Sequence, residues 1–570
     1  MKKIVLSFVV ASFAFLLSCG GGEHSTSENE DQNVESNNVD NTCLDFAITE
    51  KHNTLDPIKV TSVASFHITS QIYEPLLRFN EKDLSLQPLI AESWVISEDN
   101  LVYTFALKKG VHFHDNACFE GGKGRELKAS DVVYTFKRIY SEKSSYAYSL
   151  VKNIIKGSEN YTEGEIVGLK AIDDYNVEFT LNKPSSIFIN VLAMVNSSIV
   201  PKEAIEKNAN VGTGPFTYNK GNDTEVAITL LKNKNYHLSD KKGNKLPYLE
   251  SVAYNYIKSG QDQLDLFMAE KLDIITGIPP ESIKDIVESQ IADFQNKPAK
   301  YVLGRYPEIM TSYLKLNTAI APFNDVKVRQ AFGMAINKTK IVDHVLKGEA
   351  YSAGENGIVP SAIKGYDFSS IVGLEYSLTK AQQLLADAGY PNGKGFPALK
   401  FATGKGNISL RVGLEIQKQL LSNLNINVEI SALTLKEITE MNGKSELNMS
   451  LGGWLGEFPD PTTFLTLFYG EHVSSSLEES SFPNETRYQN TKFDAIFKEA
   501  SETVDTKKRY ELCLIADQIL ATEVPGIPLW YHESYQLIQS VIQDYQPNSM
   551  NIQYLTYVKI KEAPVVEVAQ

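Results

Sequence analysis

Val102-Tyr103-Thr104-Phe105-Ala106-Leu107 alternates β-formers between turn signals, and further on Ser130-Asp131 heads an apolar-periodic stretch that runs through Tyr140. The first predicts a strand by its period of two, the second a helix by its cap and its 3.6-residue period. The alternation recurs. Val177-Glu178-Phe179-Thr180-Leu181 predicts another short strand, and residues 325–346 carry Val328, Ala331, Phe332, Ala335 and Ile336 on one helical face. Strands mixed with helices place the chain in the α/β class, built of α+β lobes.

The chain has 570 residues, of which 42% are hydrophobic and 10% aromatic, enough to bury a large core in one multi-lobed body or in two to three domains. The formal net charge of −15 argues against nucleic acid or anionic lipid as the main partner. Four cysteines stand at 19, 43, 118 and 513. If the first is lipidated, three remain and at most one disulfide forms, so no disulfide framework carries the fold. There is no internal repeat, no coiled-coil run and no second membrane span.

Met1-Lys2-Lys3 leads into an apolar run over residues 4–17, and Leu16-Leu17-Ser18-Cys19-Gly20 has the leucine pair and small residues of a lipobox. A run of 14 residues falls short of the roughly 20 that span a bilayer as a helix. Residues 1–18 are therefore expected to be an export signal, removed ahead of Cys19. Cys19 then carries the acyl chains that hold the protein to a membrane from outside. An ordinary signal with a chance cysteine is the alternative. Loss of Lys2 and Lys3 takes the charge to −17. Residues 19–43 are the lipidated end and its tether: Gly20-Gly21-Gly22 and a Ser, Asn, Glu and Asp run bury almost nothing and stay disordered. A coil of that length spans on the order of 25 Å.

Within the body a succession of short motifs runs in order. Leu55-Asp56-Pro57, Ile72-Tyr73-Glu74-Pro75-Leu76, Pro88-Leu89-Ile90-Ala91-Glu92-Ser93-Trp94 and Phe113-His114-Asp115 come first. Ala129-Ser130-Asp131-Val132-Val133, Gly212-Thr213-Gly214-Pro215-Phe216 and Val328-Arg329-Gln330-Ala331-Phe332 follow. Ala388-Gly389-Tyr390-Pro391, the stretch 454–461 and Ile527-Pro528-Leu529 close the series. Together they resemble the extracytoplasmic solute-binding proteins of the peptide, oligopeptide and nickel family, over about residues 45–560. The resemblance implies a type II periplasmic-binding-protein clamshell of three lobes with a discontinuous domain I. Its expected divisions are residues 44–76, 205–306 and 521–565 for domain I, 77–204 for domain II and 307–520 for domain III. Hinge crossings are expected near Pro307 and Ala521, and ligand between lobes I and III.

Residues 452–461, Gly-Gly-Trp-Leu-Gly-Glu-Phe-Pro-Asp-Pro, are too broken by Gly and Pro for regular structure and rich in aromatics and acids, which predicts a binding loop. The resemblance places Gly453, Trp454 and Leu455 at the cleft and puts Glu457 where peptide-binding relatives carry the Asp that pairs with a ligand ammonium. Asp460 is either a second ligand acid or, standing before Pro461, a turn former. Thr61-Ser62-Val63 matches the segment whose backbone pairs with peptide in relatives, a mode that reads no side chain; a plain loop ahead of a helix is the other reading. The Arg that holds a ligand carboxylate in dipeptide-binding relatives has its counterpart near Thr403. Lys405, two residues on, is the candidate substitute, or a surface lysine. Trp530 and His532 match an aromatic position near the cleft, with core packing the alternative for Trp530.

No Gly-x-Ser-x-Gly elbow, Walker loop or zinc helix is present, so no enzyme and no cofactor are expected. His112 and His114 could share a strand face and hold a metal, but two ligands make no site. Residues 121–124 look like a phosphate loop without the strand-to-helix context, hence a surface insertion. The expected function is that of the substrate-binding subunit of an ABC importer: a lipid-anchored, extracytoplasmic monomer that captures an oligopeptide or dipeptide-like solute. It delivers that solute to a permease and its ATPase subunits. A lipid-anchored sensor or chaperone on the same clamshell, or a binder of nickel chelates or oligosaccharides, stays open.

Overall fold

Two long antiparallel strands, Tyr301–Leu316 and Gly526–Gln539, organise the molecule. The computed structural model describes residues 42–279, 282, 283, 285, 286, 288, 300–347 and 349–561. The signal-like segment, Cys19 and nearly all of the tether lie outside them. Each long strand serves two halves of one eleven-stranded sheet. Toward one end Gly526–Gln539 pairs with Ile274–Ile275, which leads on to Cys43–Ile48, Ser251–Tyr256, Ala227–Lys232 and Phe216–Tyr218. Toward the other, Tyr301–Leu316 pairs with Met449–Leu455, followed by Leu399–Gly404 and Val428–Leu433. Where the halves meet, the ladder slips between Pro307 and Thr311 and again between Ser312 and Tyr313. Pro307 thus stands at an irregularity of the first crossing strand. Ala521 lies inside the helix Thr506–Glu523, ahead of the second.

Separate apolar cores mark the lobes. Phe46, Ile68, Tyr254 and Ile274 centre one on the first half-sheet. Phe332, Phe401, Ile416 and Leu420 cover one face of the second half-sheet, and Phe464, Phe493 and Leu520 cover the other. The strand Tyr301–Leu316 feeds both: Leu314 and Leu316 go to the first of these faces, Ile309 and Tyr313 to the second, as a period of two requires. The inserted lobe has its own four-stranded sheet, Ala91–Ile96, Val102–Leu107, Asn176–Thr180 and Leu169–Ala171, around Phe105, Phe136 and Phe179. The fold is the three-lobed type II clamshell with a discontinuous first domain.

Val102–Leu107 and Asn176–Thr180 are strands, with Tyr103, Phe105 and Leu107 inward. The helix Ala129–Ser141 begins one residue earlier than its expected cap; Asp131 works from the first turn, where its Oδ2 accepts the Lys128 amide at 2.9 Å. The helical face over residues 325–346 is broken. Asp325 caps Val326–Ala335, the chain leaves the helix at Ile336, and Asn337 caps a new turn. His112 and His114 part company: His112 is exposed, while His114 is buried with Nε2 on the Gly214 carbonyl at 2.9 Å. Cys43, Cys118 and Cys513 are free thiols.

Candidate ligand-binding cleft

The glycine-rich stretch is half strand, contrary to the expected loop. Met449–Leu455 pairs with Tyr301–Leu316 in unbroken register from Met449 opposite Leu316 to Leu455 opposite Met310. At Gly452 the space a Cβ would take is filled by the Lys315 side chain, whose Cε would stand 2.7 Å away. At Gly456 the chain turns off the ladder, its amide on the Ile309 carbonyl at 2.8 Å. A Cβ at 456 would stand 2.6 Å from Ile309 Cγ2. That turn delivers Glu457 beyond the sheet.

Glu457 is half-buried, and hydroxyls hold it. Thr463 Oγ1 donates to its Oε2, and Tyr146 Oη, from the inserted lobe, donates to Oε1 at 3.3 Å. No ion pair among the described residues engages it. Burial pushes its carboxyl above the usual range, and the hydroxyls only partly offset this. Trp454 is half-buried, its Nε1 donating to the same Thr463 Oγ1 at 3.3 Å and its ring 6.3 Å from that of Phe482. Gly453 and Leu455 are exposed. Phe458 turns the other way and is buried in the core of the inserted lobe, so this loop ties two lobes together.

On the crossing strands, Gly453 lies opposite Ser312, and Ser312 Oγ hydrogen-bonds His532 Nε2 at 2.7 Å. Burial pushes His532 down to about 4, so it stands neutral. Trp530 is packed into the core that holds Phe332 and Phe401. Thr61, Ser62 and Val63 open the helix Val63–Ile72, with Ser62 Oγ accepting the Ser65 amide at 3.3 Å. Thr61 and Val63 are exposed. The same helix reaches the crossing strands through His67, whose Nε2 meets the Asn551 carbonyl at 3.0 Å, and Asn551 Oδ1 in turn meets Tyr306 Oη at 3.5 Å.

Two expected site residues are engaged elsewhere. Asp460 is buried with Oδ2 on Arg509 Nε at 2.9 Å and Oδ1 on Thr462 Oγ1 at 2.6 Å, which makes it the turn former. Lys405 stands exposed and pairs with Glu437 at 3.3 Å. Thr403 is buried with its hydroxyl unpartnered among the described residues. Tyr146, Thr463 and Ser312 were not foreseen. Tyr146 lies 311 positions from Glu457, and nothing local in the sequence announces that meeting.

A sheet shared by lobes and a hydroxyl-bound acid without a counter-cation among the described residues are the features that mark this region as the candidate site. The chain belongs to the bacterial extracellular solute-binding proteins of family 5, whose model (family 5 Middle) matches residues 85–476. It is 27% identical over 511 residues to heme-binding protein A of Haemophilus influenzae, covering 86% of this chain and 87% of that protein. It is also 27% identical over 497 residues to the glutathione-binding protein GsiB of Escherichia coli strain K12, covering 85% and 88%. Among solved structures it resembles the periplasmic binding protein DppA of Helicobacter pylori in complex with the peptide STSA. That match has a TM-score of 0.73 at 27% identity and covers 91% of this chain and 98% of that one. Among the described residues no helix is long and apolar enough to cross a membrane.

Proposed function

We propose that this protein captures a peptide or peptide-like solute with a free ammonium for an ABC importer, and that Glu457 receives the ammonium. The carrying observation is Glu457 itself: a half-buried carboxylate with two hydroxyl partners and no cation among the described residues. Such an acid is unsatisfied until a charge-assisted donor arrives. Glutathione and the peptide STSA, named for two relatives, both present a free amine. With Thr403 in place of an arginine and Lys405 held by Glu437, the carboxylate end is left without the dipeptide-type anchor, which favours longer peptides or ligands that lack that group.

On this reading residues 1–18 are the export signal and Cys19 is the lipidated residue. The monomer's lobes follow the divisions 44–76 with 205–306 and 521–565, 77–204, and 307–520. Thr61–Val63 backbone and Trp454 complete the cleft. Ligand contacts made with both lobes favour closure, and the closed form docks on the permease. The test is calorimetric titration of the protein with free-amine peptides of two to eight residues and with their N-acetylated forms. Binding that acetylation abolishes supports the reading; equal binding of both forms removes Glu457 from the site.

A further inference from the structure

The loop over residues 474–482 ends in an aromatic ring that packing leaves bare. Phe482 is 60% exposed, yet the loop that carries it is pinned from within. Buried Arg487 donates through Nη1 to the Ser476 carbonyl at 3.0 Å. Its Nη2 donates to the carbonyls of Gly443 at 2.9 Å, of Leu477 at 3.2 Å and of Glu479. The Ser474 amide lies on Ser481 Oγ at 3.0 Å and the Phe482 amide on Ser480 Oγ at 3.3 Å. Three residues past the ring, Glu485 pairs with Lys315 of the crossing strand. A ring held this way loses little further freedom when a ligand covers it.

One indole places Phe482 relative to the ammonium receptor. The Phe482 ring centroid is 6.3 Å from that of Trp454, with the planes 49° apart. The Trp454 Nε1 donates to Thr463 Oγ1 at 3.3 Å, and that same hydroxyl donates to Glu457 Oε2. Trp454 is thus a direct neighbour of Phe482 and a single hydroxyl away from Glu457. A lone apolar residue on a surface needs no explanation. This one instead extends the apolar surface of an indole that stands beside a carboxylate without a cation among the described residues.

In a peptide the terminal ammonium and the first side chain leave the same carbon. With the ammonium on Glu457, the first side chain is therefore the group that reaches these rings. Resting on the reading of Glu457 as ammonium receptor, we infer that Phe482 and Trp454 form the subsite for that side chain and select an aromatic one over a small polar one. Tilted and offset aromatic contacts gain more than the area they bury, so a third ring against this tilted pair is favoured beyond its hydrophobicity. A hydroxymethyl group in the same place covers little of either ring.

The test is calorimetric titration of the full-length chain with the tetrapeptides Phe-Thr-Ser-Ala and Ser-Thr-Ser-Ala and with N-acetylated Phe-Thr-Ser-Ala. The phenylalanine peptide is expected to bind about tenfold tighter than the serine peptide. Phe482→Ala should bring the two within about twofold of each other, and Phe482→Tyr, which keeps the ring, should restore the preference. Both peptides are read on the same variant, so a general loss of fold lowers both and does not imitate lost discrimination. Equal affinities in the unaltered chain, or a preference that survives Phe482→Ala, would overturn the inference while loss of binding on acetylation still upholds Glu457. Equal binding of the acetylated and free phenylalanine peptides, or binding of neither tetrapeptide up to ~1 mM, would remove the ammonium reading and this subsite with it.

Discussion

Glu457 is kept partly out of water by Thr463, Tyr146 and the Trp454 ring, and its raised carboxyl follows from that burial. Only the ionised form can hold an ammonium. Peptide affinity should therefore fall on acidification and begin to fall above the ordinary carboxyl value of 4.5; titrations from pH 7.5 downward check it, and a flat profile counts against the assignment. Glu457→Gln should abolish peptide binding while leaving the melting temperature of the unliganded protein at pH 7.5 unchanged or higher, since the costly charge is gone. A large drop in that temperature would make Glu457 a structural residue instead. His67 behaves in the opposite sense. Its Nε2–H donates to the Asn551 carbonyl at 3.0 Å and its Nδ1 accepts from Gln553 at 3.1 Å, so neither nitrogen has room for a second proton, and burial holds it near 4. Its folded value lies below the 6.5 of the unfolded chain, so its contribution is complete above about pH 6.5 and is lost as pH falls toward 4. The stability deficit of His67→Gln should accordingly shrink on acidification, by up to about 3 kcal/mol, as read from denaturant unfolding at pH 7.5 and 4.5.

Among the elements, the turn from Met449–Leu455 into residues 456–460 carries the most. Phe458 is 4% exposed inside the inserted lobe's core, although it belongs by sequence to the other side of the molecule. Phe458→Ala should cost about 3 kcal/mol through the cavity it leaves and should also weaken ligand binding, because it loosens the segment that presents Glu457. Loss of stability with unchanged affinity would separate the two roles. Strands such as Val102–Leu107 were legible because inward Tyr103, Phe105 and Leu107 leave a period of two in the sequence. The strand character of residues 449–455 was not. Two adjacent glycines erase the alternation, and the space their Cβ atoms would take is filled by side chains of the opposing strand, Lys315 at Gly452 and Met310 at Gly453, a tertiary fact. The break at Ile336 was hidden for a similar reason: the apolar period continues across it, while Asn337 restarts the helix with its own cap. Glu457 and Trp454 were singled out by resemblance, but their hydroxyl partners come from residues whose nearness exists only in the fold. For Asp460 the sequence left a ligand acid and a turn former both open, because the partner that engages it, Arg509, lies 49 positions away.

For the molecule as a whole, the interlocking of cores argues for unfolding as one unit. Ile58 and Phe458 sit in the inserted lobe's core although both lie outside that lobe in sequence. Trp94 reports on that lobe, and Trp530 on the core around Phe332. Single-tryptophan variants keeping only one or the other should melt at coincident midpoints; an earlier, separate transition for Trp94 would show that the insert folds independently. The eleven-stranded sheet adds a mechanical consequence. Because Tyr301–Leu316 and Gly526–Gln539 pass through both halves, the halves are not two bodies on a string but two ends of one ribbon. Any swing between them is torsion of that ribbon, concentrated where the ladder already slips, between Pro307 and Thr311. The slipped segment then acts as a torsion spring whose rest angle is written into the number of residues in the bulge. Shortening it by one residue would reset the register between the two ends of the ribbon, and with it the angle of one rim of the mouth against the other.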